Sequence, residues 1–332
     1  MKRQFPFLFF VSLLLSTRLL AGGFDWRLSG ETGYFHAKSN PSLNSLSALT
    51  GSLGYRSGTA GQTWSIQLRV RPELFDADNR MISASAGALY KRTWSDWQLA
   101  GLLGARQQSY LLEDADLTVR SFQVQGVLTF TGGHWVWVET EGRRLWGSSE
   151  AESRNELVSN TGFLRGRVFY SKRGSVSAGG FSERFYANTN DVLTVPDANR
   201  GWRNGLEFRL DYTKSVVVNL QYLVSWRTSR WTRGRSTEHE INLVFGRNFG
   251  SRWSVFVLAD YTIRKLNRSN QVTRNLLYTN SNYDNRIYVK GGYDINSTQN
   301  VFLKVSYLRN ELIQEQTRLS GTQVAIGYEI RH

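Results

Sequence analysis

The sequence predicts an all-β protein, a transmembrane antiparallel up-and-down β-barrel of about sixteen strands. Three observations support this fold: runs of alternating apolar and polar residues, connections of two length classes, and an aromatic residue that recurs about every forty residues. A tilted strand needs about 9 to 11 residues to cross the hydrocarbon of a bilayer. A period of about forty residues is therefore the length of one transmembrane hairpin with its connections.

The alternation is clearest in the segment SVVVNLQYLVSWR, residues 215–227. Val218, Leu220, Tyr222, Val224 and Trp226 share one face of this segment, while the residues between them are mostly polar. Four prolines in 332 residues fit a chain of many strands, because proline removes a ladder donor. Sixteen such runs are predicted, starting near Trp26, Leu49, Trp64, Ile82, Trp97, Val119, Trp135, Asn160, Val176, Leu206, Val216, Ile241, Trp253, Ile287, Val301 and Gln323.

Short connections rich in glycine and polar residues alternate with longer ones. The longest are predicted at 187–199 and 267–284. The short ones are predicted at 57–62, 93–96, 131–133, 171–174, 213–214, 250–252 and 296–298. This pattern is typical of a barrel with short turns at one end and longer loops at the other.

Aromatic residues fall beside the short turns, and we interpret them as a girdle at one membrane interface. The predicted girdle consists of Tyr55, Trp64, Tyr90, Trp97, Phe130, Trp135, Tyr170, Tyr212, Phe249, Trp253, Tyr293 and Tyr328. Any one of these residues alone is explained as well by core packing. A β-propeller also repeats at about forty residues, but each blade needs four short strands and each period here offers two long ones. A soluble sandwich does not gather its aromatics at one rim.

Residues 1–21 are predicted to be a secretory signal peptide, and residues 22–332 the barrel. Lys2 and Arg3 precede an apolar run that is too short for a membrane-spanning helix, and small residues follow near the cleavage position. Because the chain has no cysteine, it forms no disulfide and no thiolate metal site.

The net charge of +14 falls to 14 − 3 = +11 when Lys2, Arg3 and Arg18 are removed with the signal peptide. A basic balance can signal nucleic-acid binding, but the arginines are spread along the strands rather than gathered in one patch. No nucleic-acid partner is therefore expected. The mean hydropathy of −0.39 does not exclude a membrane protein, since alternation hides an apolar face from any average.

The final segment QVAIGYEIRH places Val324, Ile326, Tyr328 and Ile330 on one face. It resembles the C-terminal targeting strand of bacterial outer-membrane β-barrel proteins, although His332 replaces the usual terminal Phe or Trp. The resemblance is to porin-like barrels as a class. It implies a Gram-negative outer membrane, assembly by the barrel-assembly machinery through this strand, and contact with outer-membrane lipids and lipopolysaccharide. General porins usually have a long third loop, whereas the third long-side connection here, around 111–116, is short.

Charged residues of polar parity are predicted to line a wet, mildly cationic lumen, because unpaired charges are costly to bury. About fourteen cationic side chains face inward against nine acidic ones, and the pairs Arg69 with Arg71 and Arg165 with Arg167 are the densest. Two roles stay open: pairing into a girdle that stiffens the wall, and binding of solutes. The residues expected to set selectivity are Arg69, Arg71, Arg165, Arg167, Arg209, Arg227, Arg286 and Lys290.

No catalytic site, metal site or cofactor is expected. Of the four histidines only His239 has close acidic neighbours, Glu238 and Glu240, and strand alternation places those on the opposite face. The expected function is a channel for passive diffusion of small hydrophilic, preferentially anionic solutes. The alternative is the barrel component of a multi-chain export or surface-assembly complex for polysaccharide or protein, with periplasmic or surface partner chains.

Overall fold

The computed structural model describes residues 23–37, 45–75, 79–112, 115–132, 136–149, 155–188, 200–229, 235–266, 284–311 and 318–332. These residues form a closed antiparallel barrel in which each of sixteen strands pairs with its neighbours in the chain, and the first pairs with the last. The strands are β1 Gly23–Ala37, β2 Ser45–Thr59, β3 Gln62–Leu74, β4 Arg80–Thr93, β5 Trp97–Leu112, β6 Ala115–Thr131, β7 Val136–Ser149, β8 Asn155–Ser171, β9 Gly174–Asn188, β10 Arg200–Thr213, β11 Val217–Ser229, β12 Arg235–Phe249, β13 Trp253–Leu266, β14 Asp284–Asp294, β15 Gln299–Glu311 and β16 Arg318–Arg331. The predicted fold and strand number are confirmed.

Pairing of β1 with β16 closes the barrel. The backbone N–H of Trp26 donates to the carbonyl of His332 at 3.2 Å, and the N–H of His332 donates back at 3.0 Å. Further along, Gly33 lies so close to β16 that a Cβ atom there would stand 2.0 Å from the carbonyl oxygen of Val324. Only glycine tolerates this approach, so Gly33 helps to set the seam between the two ends of the chain.

The connections fall into two length classes, as predicted, with one exception. Seven connections of two to four residues lie at the end of the barrel where the chain terminates, and most connections at the other end have five to seventeen residues. The exception joins β5 to β6 through residues 113–114 alone. The expected alternation is therefore not strict. The signal segment and most of the long-loop residues lie outside the described residues, so the domain boundary at residue 21 stays a prediction.

Side chains alternate between an apolar outer face and a polar inner face. Leu164, Leu206 and Ile326 point outward and are 60%, 56% and 57% exposed. Their strand neighbours Arg165, Glu207 and Ala325 point inward and are buried. Among the residues that the structure describes, no helix is long and apolar enough to span a membrane. The apolar outer wall and the closed strand order are those of a transmembrane β-barrel.

The predicted girdle residues form neighbouring ring contacts beside the short connections. Ring centroids lie 5.0 Å apart for Tyr55 and Trp64, and 4.6 Å apart for Trp97 and Phe130. Trp135 lies outside the described residues. The other members, which also have outward parity near a short connection, are Tyr90, Tyr170, Tyr212, Phe249, Trp253, Tyr293 and Tyr328. Their placement at the lipid headgroups stays a prediction.

We expect Leu220→Arg to lower the free energy of unfolding in lipid vesicles by about 1 to 2 kcal/mol, because Leu220 faces lipid one outward position inside the aromatic belt, between the interface and the midplane. Leu220 points outward on β11, between the outward residues Val218 and Tyr222. The matched control is Gln221→Arg, because Gln221 points into the lumen and donates to Glu207 at 2.6 Å. Urea unfolding of both variants measures the difference. Equal stabilities would contradict the face assignment.

Trp64→Arg should destabilise the barrel by only about 0 to 1 kcal/mol, because arginine is tolerated at the membrane interface. Trp64 stands between Tyr55 and Tyr90 on the outer wall. Trp64→Phe, which keeps an aromatic ring, is the control. The same urea series applies, and a loss from Trp64→Arg as large as that from Leu220→Arg would place Trp64 in the hydrocarbon rather than at its edge.

Candidate functional site

The candidate site is the lumen, where inward charges from neighbouring strands form several ion-pair networks. Along β7 to β10, Arg165 bridges Glu141 on one side and Glu207 on the other, with its Nε 2.6 Å from Glu207. Gly179 lies between Arg165 and Glu207 in the strand register. A Cβ at Gly179 would stand 2.8 Å from Cγ of Arg165. The missing side chain thus lets the guanidinium reach across β9 to its second carboxylate.

A second network surrounds Arg203 on β10, which is 3% exposed. Its guanidinium pairs with Glu183 at 3.1 Å and Glu240 at 2.5 Å, and its Nε donates to Ser225 at 3.0 Å. Glu238 lies farther away, at 3.9 Å. A cation with three carboxylates around it is stabilised despite its burial.

Three phenylalanines lie behind these charges on the inner wall. Phe163 and Phe181 stack at 5.2 Å, and both are buried. The guanidinium of Arg165 lies 4.3 Å from the centroid of Phe163, that of Arg203 lies 5.1 Å from Phe181, and Arg227 lies 5.3 Å from Phe185. The rings and the ion pairs together cover the inner wall from β7 to β12.

The expectation that all inward charges face water is wrong for this wall. Arg165 and Arg227 are 5% and 7% exposed, and Glu207 is 4% exposed. Burial is possible because each charge has an opposite charge within reach, which removes the penalty of an unpaired ion. For these buried residues, ion pairing that stiffens the wall describes the structure better than binding of solutes does.

Other inward cations are also paired. Glu31 binds both Arg71 and Lys304, each at 2.5 Å, and Arg71 also contacts Glu73. The remaining predicted selectivity residues pair as follows: Arg167 with Glu139 at 3.2 Å, Arg209 with Glu207 at 2.5 Å, Arg227 with Glu238 at 3.7 Å, Arg286 with Asp260 at 3.2 Å and Lys290 with Glu329 at 3.7 Å. All eight predicted selectivity residues have inward parity, but they do not form one site.

A luminal recess of about 240 Å³ brings part of this set together. It is lined by side chains of β3 to β5 and of β13 and β14, although β2, β1, β16 and β15 separate these groups along the wall. Its charged lining residues are Arg69, Arg71, Glu73, Arg106, Asp260 and Arg286. Four cations against two anions leave 4 − 2 = +2. Side chains from two separate parts of the wall therefore share one cationic recess.

Arg69 differs from the other cations of the recess. Its side chain is exposed to the lumen, and among the described residues none forms an ion pair with it. The nearby cations Arg71, Arg106 and Arg286 repel the charge of Arg69. Since Arg71 and Arg286 each have a carboxylate partner, Arg69 is the cation best placed to meet an anion in the lumen.

Sequence reasoning missed Arg203, Glu183, Glu73 and Glu329, which all carry inward charges. On β9 the adjacent residues Glu183 and Arg184 are both charged, so polarity alone does not tell which one faces the lumen. Phe181 and Phe185, which share the inward face with Glu183, made that face resemble an apolar one. The signal that identifies the inward face is the pairing register with β10, which places Glu183 opposite Arg203.

The histidine with acidic neighbours lies on the outer wall. Nδ1 of His239 is 2.8 Å from the hydroxyl of Tyr222 on the adjacent strand. Glu238 and Glu240 point inward and bind Arg203 and Arg227. As predicted, His239 and these carboxylates face opposite sides of the wall in the strand register.

We expect Arg203→Met to lower the free energy of unfolding by about 3 to 5 kcal/mol, because Glu183 would stay buried without this cation. The control is Arg209→Met, since its side chain is 30% exposed and Glu207 keeps Arg165 as a partner. Its cost should be about 1 kcal/mol or less. Urea unfolding in the same vesicles compares the two. An equal cost for both would contradict a buried network around Arg203.

No protein-family model matches this sequence, and no curated protein matches it significantly. Solved structures with a similar fold include a bacterial polysaccharide outer membrane secretin, at 9% identity and a TM-score of 0.43. The similarity covers 93% of this chain and 98% of that chain. CdiB from Acinetobacter baumannii is similar at 10% identity and a TM-score of 0.49, with 93% and 60% covered. A loop L8 deletion mutant of OmpT, an outer membrane protein of Vibrio cholerae, is similar at 15% identity and a TM-score of 0.46, with 94% and 99% covered. Likenesses this distant indicate nothing about what this chain transports or binds. The description of the chain as a transmembrane β-barrel rests on its own closed strand order and apolar outer wall.

Proposed function

We propose that this barrel is an outer-membrane channel for passive diffusion of small hydrophilic solutes, with a preference for anions. The observation that carries the proposal is the cationic recess around Arg69, where an exposed guanidinium faces the lumen. Rings or clusters of arginine favour anions in pores because they raise the local concentration of counter-ions. The signal segment, the final strand and the apolar outer wall support an outer-membrane location.

The length of the third long-side connection also supports a channel whose selectivity is set by the wall. Residues 113–114 alone join β5 to β6, and two residues span at most about 7 Å. This connection is too short to fold across the lumen. The charges of the recess lie on strands, and Arg106 is held further by a hydrogen bond to Gln108 at 3.0 Å. Groups held on strands keep a defined position for a passing ion.

Among the predicted selectivity residues, the proposal assigns the main role to Arg69. Arg165 and Arg227 are buried in networks with carboxylates, so their fields are largely cancelled at short range. Arg71 is divided between Glu31 and Glu73. Replacement of Arg71 would leave the buried Glu73 without this partner, so a change in selectivity could not be told apart from a change in folding.

We expect the purified protein to form stable open pores in planar bilayers, with reversal potentials in a potassium chloride gradient that indicate anion preference. Arg69→Glu should reverse or abolish this preference, because it changes the charge of the recess from +2 to 0. The effect should grow as salt falls, since the screening length is about 8 Å at 0.15 M and about 30 Å at 0.01 M.

The matched control for this experiment is Arg56→Glu, the same charge change at an exposed inward position near a short connection. It lies outside the recess and should alter the reversal potential much less. Cation preference in the wild type, or equal responses to the two variants, would sink the assignment to Arg69. A correctly folded barrel with no conductance would favour the export or surface-assembly role.

A further inference from the structure

Arginines alternate with serines in one row of paired residues on the inner wall. The strand register pairs each member of the row with the next across β1 to β6, in the order Arg27, Ser52, Arg69, Ser85, Arg106 and Ser121. Neighbouring strands are about 4.8 Å apart, so successive arginines of the row stand about 10 Å apart at their backbones. A short hydroxyl side chain thus lies between each long cationic side chain and the next.

The middle of this row lines the luminal recess. Arg69, Ser85 and Arg106 all belong to the lining, and so does Ser83, the next inward residue of β4. Because β4 contributes serine at both inward positions, it forms a low floor between the longer side chains of β3 and β5. We call Arg69, Ser83, Ser85 and Arg106 the β4 cradle.

The two carboxylates of the recess are engaged with arginines outside the cradle. Glu73 pairs with Arg71, and Asp260 pairs with Arg286 at 3.2 Å. Arg69 keeps no ion-pair partner among the described residues, and the nearby charge of Arg106 repels it. An anion held between two like charges lowers their mutual repulsion. The cradle is therefore the part of the recess where an added anion gains most.

The cradle lies near the middle of the barrel's length. Arg69 is 69 − 62 = 7 residues from the short-connection end of β3 and 74 − 69 = 5 from its other end. Ser85 is 93 − 85 = 8 residues from the short-connection end of β4 and 85 − 80 = 5 from its other end. Both residues are exposed to the lumen. A solute that crosses the barrel passes this depth in either direction.

We propose that the β4 cradle binds the phosphate group of a small solute on its way through the lumen. This inference rests on the proposed channel function and names the kind of anion that the channel takes. Guanidinium groups on either side of a hydroxyl offer donors from three directions, which suits the tetrahedral oxygens of phosphate better than the plane of a carboxylate. The recess volume of about 240 Å³ is several times the roughly 30 Å³ that one water occupies in the liquid. It therefore has room for a small organic group attached to the phosphate.

Equilibrium dialysis of radiolabelled inorganic phosphate against the folded protein in a neutral detergent at low salt tests the proposal. We expect saturable binding, and Ser85→Val should weaken it about tenfold or more, because the added methyl groups fill the space between the arginines and the hydroxyl is lost. The net charge of the recess stays at +2 in this variant, so charge does not explain the loss. Arg69→Gln should weaken binding at least as much, since it removes charge-assisted hydrogen bonds.

The matched control is Ser121→Val, the same substitution in the same row. Ser121 has only one arginine beside it in the register and does not line the recess, so this variant should bind phosphate as the wild type does. Should Ser85→Val fail to fold, Ser85→Ala takes its place and should weaken binding about threefold or more through loss of the hydroxyl. Unchanged binding in the Ser85 variant and in Arg69→Gln, or an equal loss in Ser121→Val, would overturn the proposal.

Competing anions identify the ligand. Acetate should displace phosphate at least about tenfold less well than unlabelled phosphate does, and equal competition would overturn the assignment to phosphate. Glycerol phosphate that competes as well as inorganic phosphate indicates an ester as the solute, whereas much weaker competition indicates the free ion.

Reversal potentials in potassium chloride test the channel function separately, because dialysis needs no conductance. An anion-selective pore that binds no phosphate would overturn this inference and leave the channel in place. Phosphate bound by a barrel that does not conduct would support the cradle and contradict the channel.

Discussion

Closure of the backbone hydrogen-bond ladder is the constraint on which the rest of this structure depends. In hydrocarbon no water satisfies an N–H or C=O group, and each unsatisfied group costs several kcal/mol. An open sheet of sixteen strands would still expose two edges, and pairing of β1 with β16 removes both. The close approach at Gly33 and the exchange of hydrogen bonds between Trp26 and His332 both lie at the seam that removes these edges.

In the closed sheet, alternate side chains face two different environments, the lipid hydrocarbon outside the barrel and the lumen inside it. Charged residues cannot face the hydrocarbon, so they gather inside, where cross-strand neighbours lie within ion-pair distance. Arg165 and Arg203 each contact carboxylates on two or more strands. These contacts join strands that are not adjacent in the ladder, such as β8 with β10, and stiffen the wall against shear.

The lumen that results is not uniform around its circumference. From β7 to β12 most charges are paired and phenylalanine rings cover part of the inner wall, so this wall is packed and has little net charge. Near β3 to β5 and β13 to β14 the cations exceed the anions, and Arg69 stays exposed.

Much of this protein was determined by local pattern alone. Two-residue periodicity gave sixteen strands, and the lengths of the connections gave the two ends of the barrel, because both depend only on neighbouring residues. The inward parity of Arg69, Arg71 and Lys290 followed from the same rule. The sequence pattern did not determine the distances between side chains on different strands. That Glu183 meets Arg203, that Gly179 lets Arg165 reach Glu207, and that Arg69 and Arg286 share one recess depend on register and closure, which bring together residues up to some two hundred positions apart. The tertiary structure alone thus decided which charges cancel and which stay available, because charge cancellation depends on separation in space and not on position in the chain.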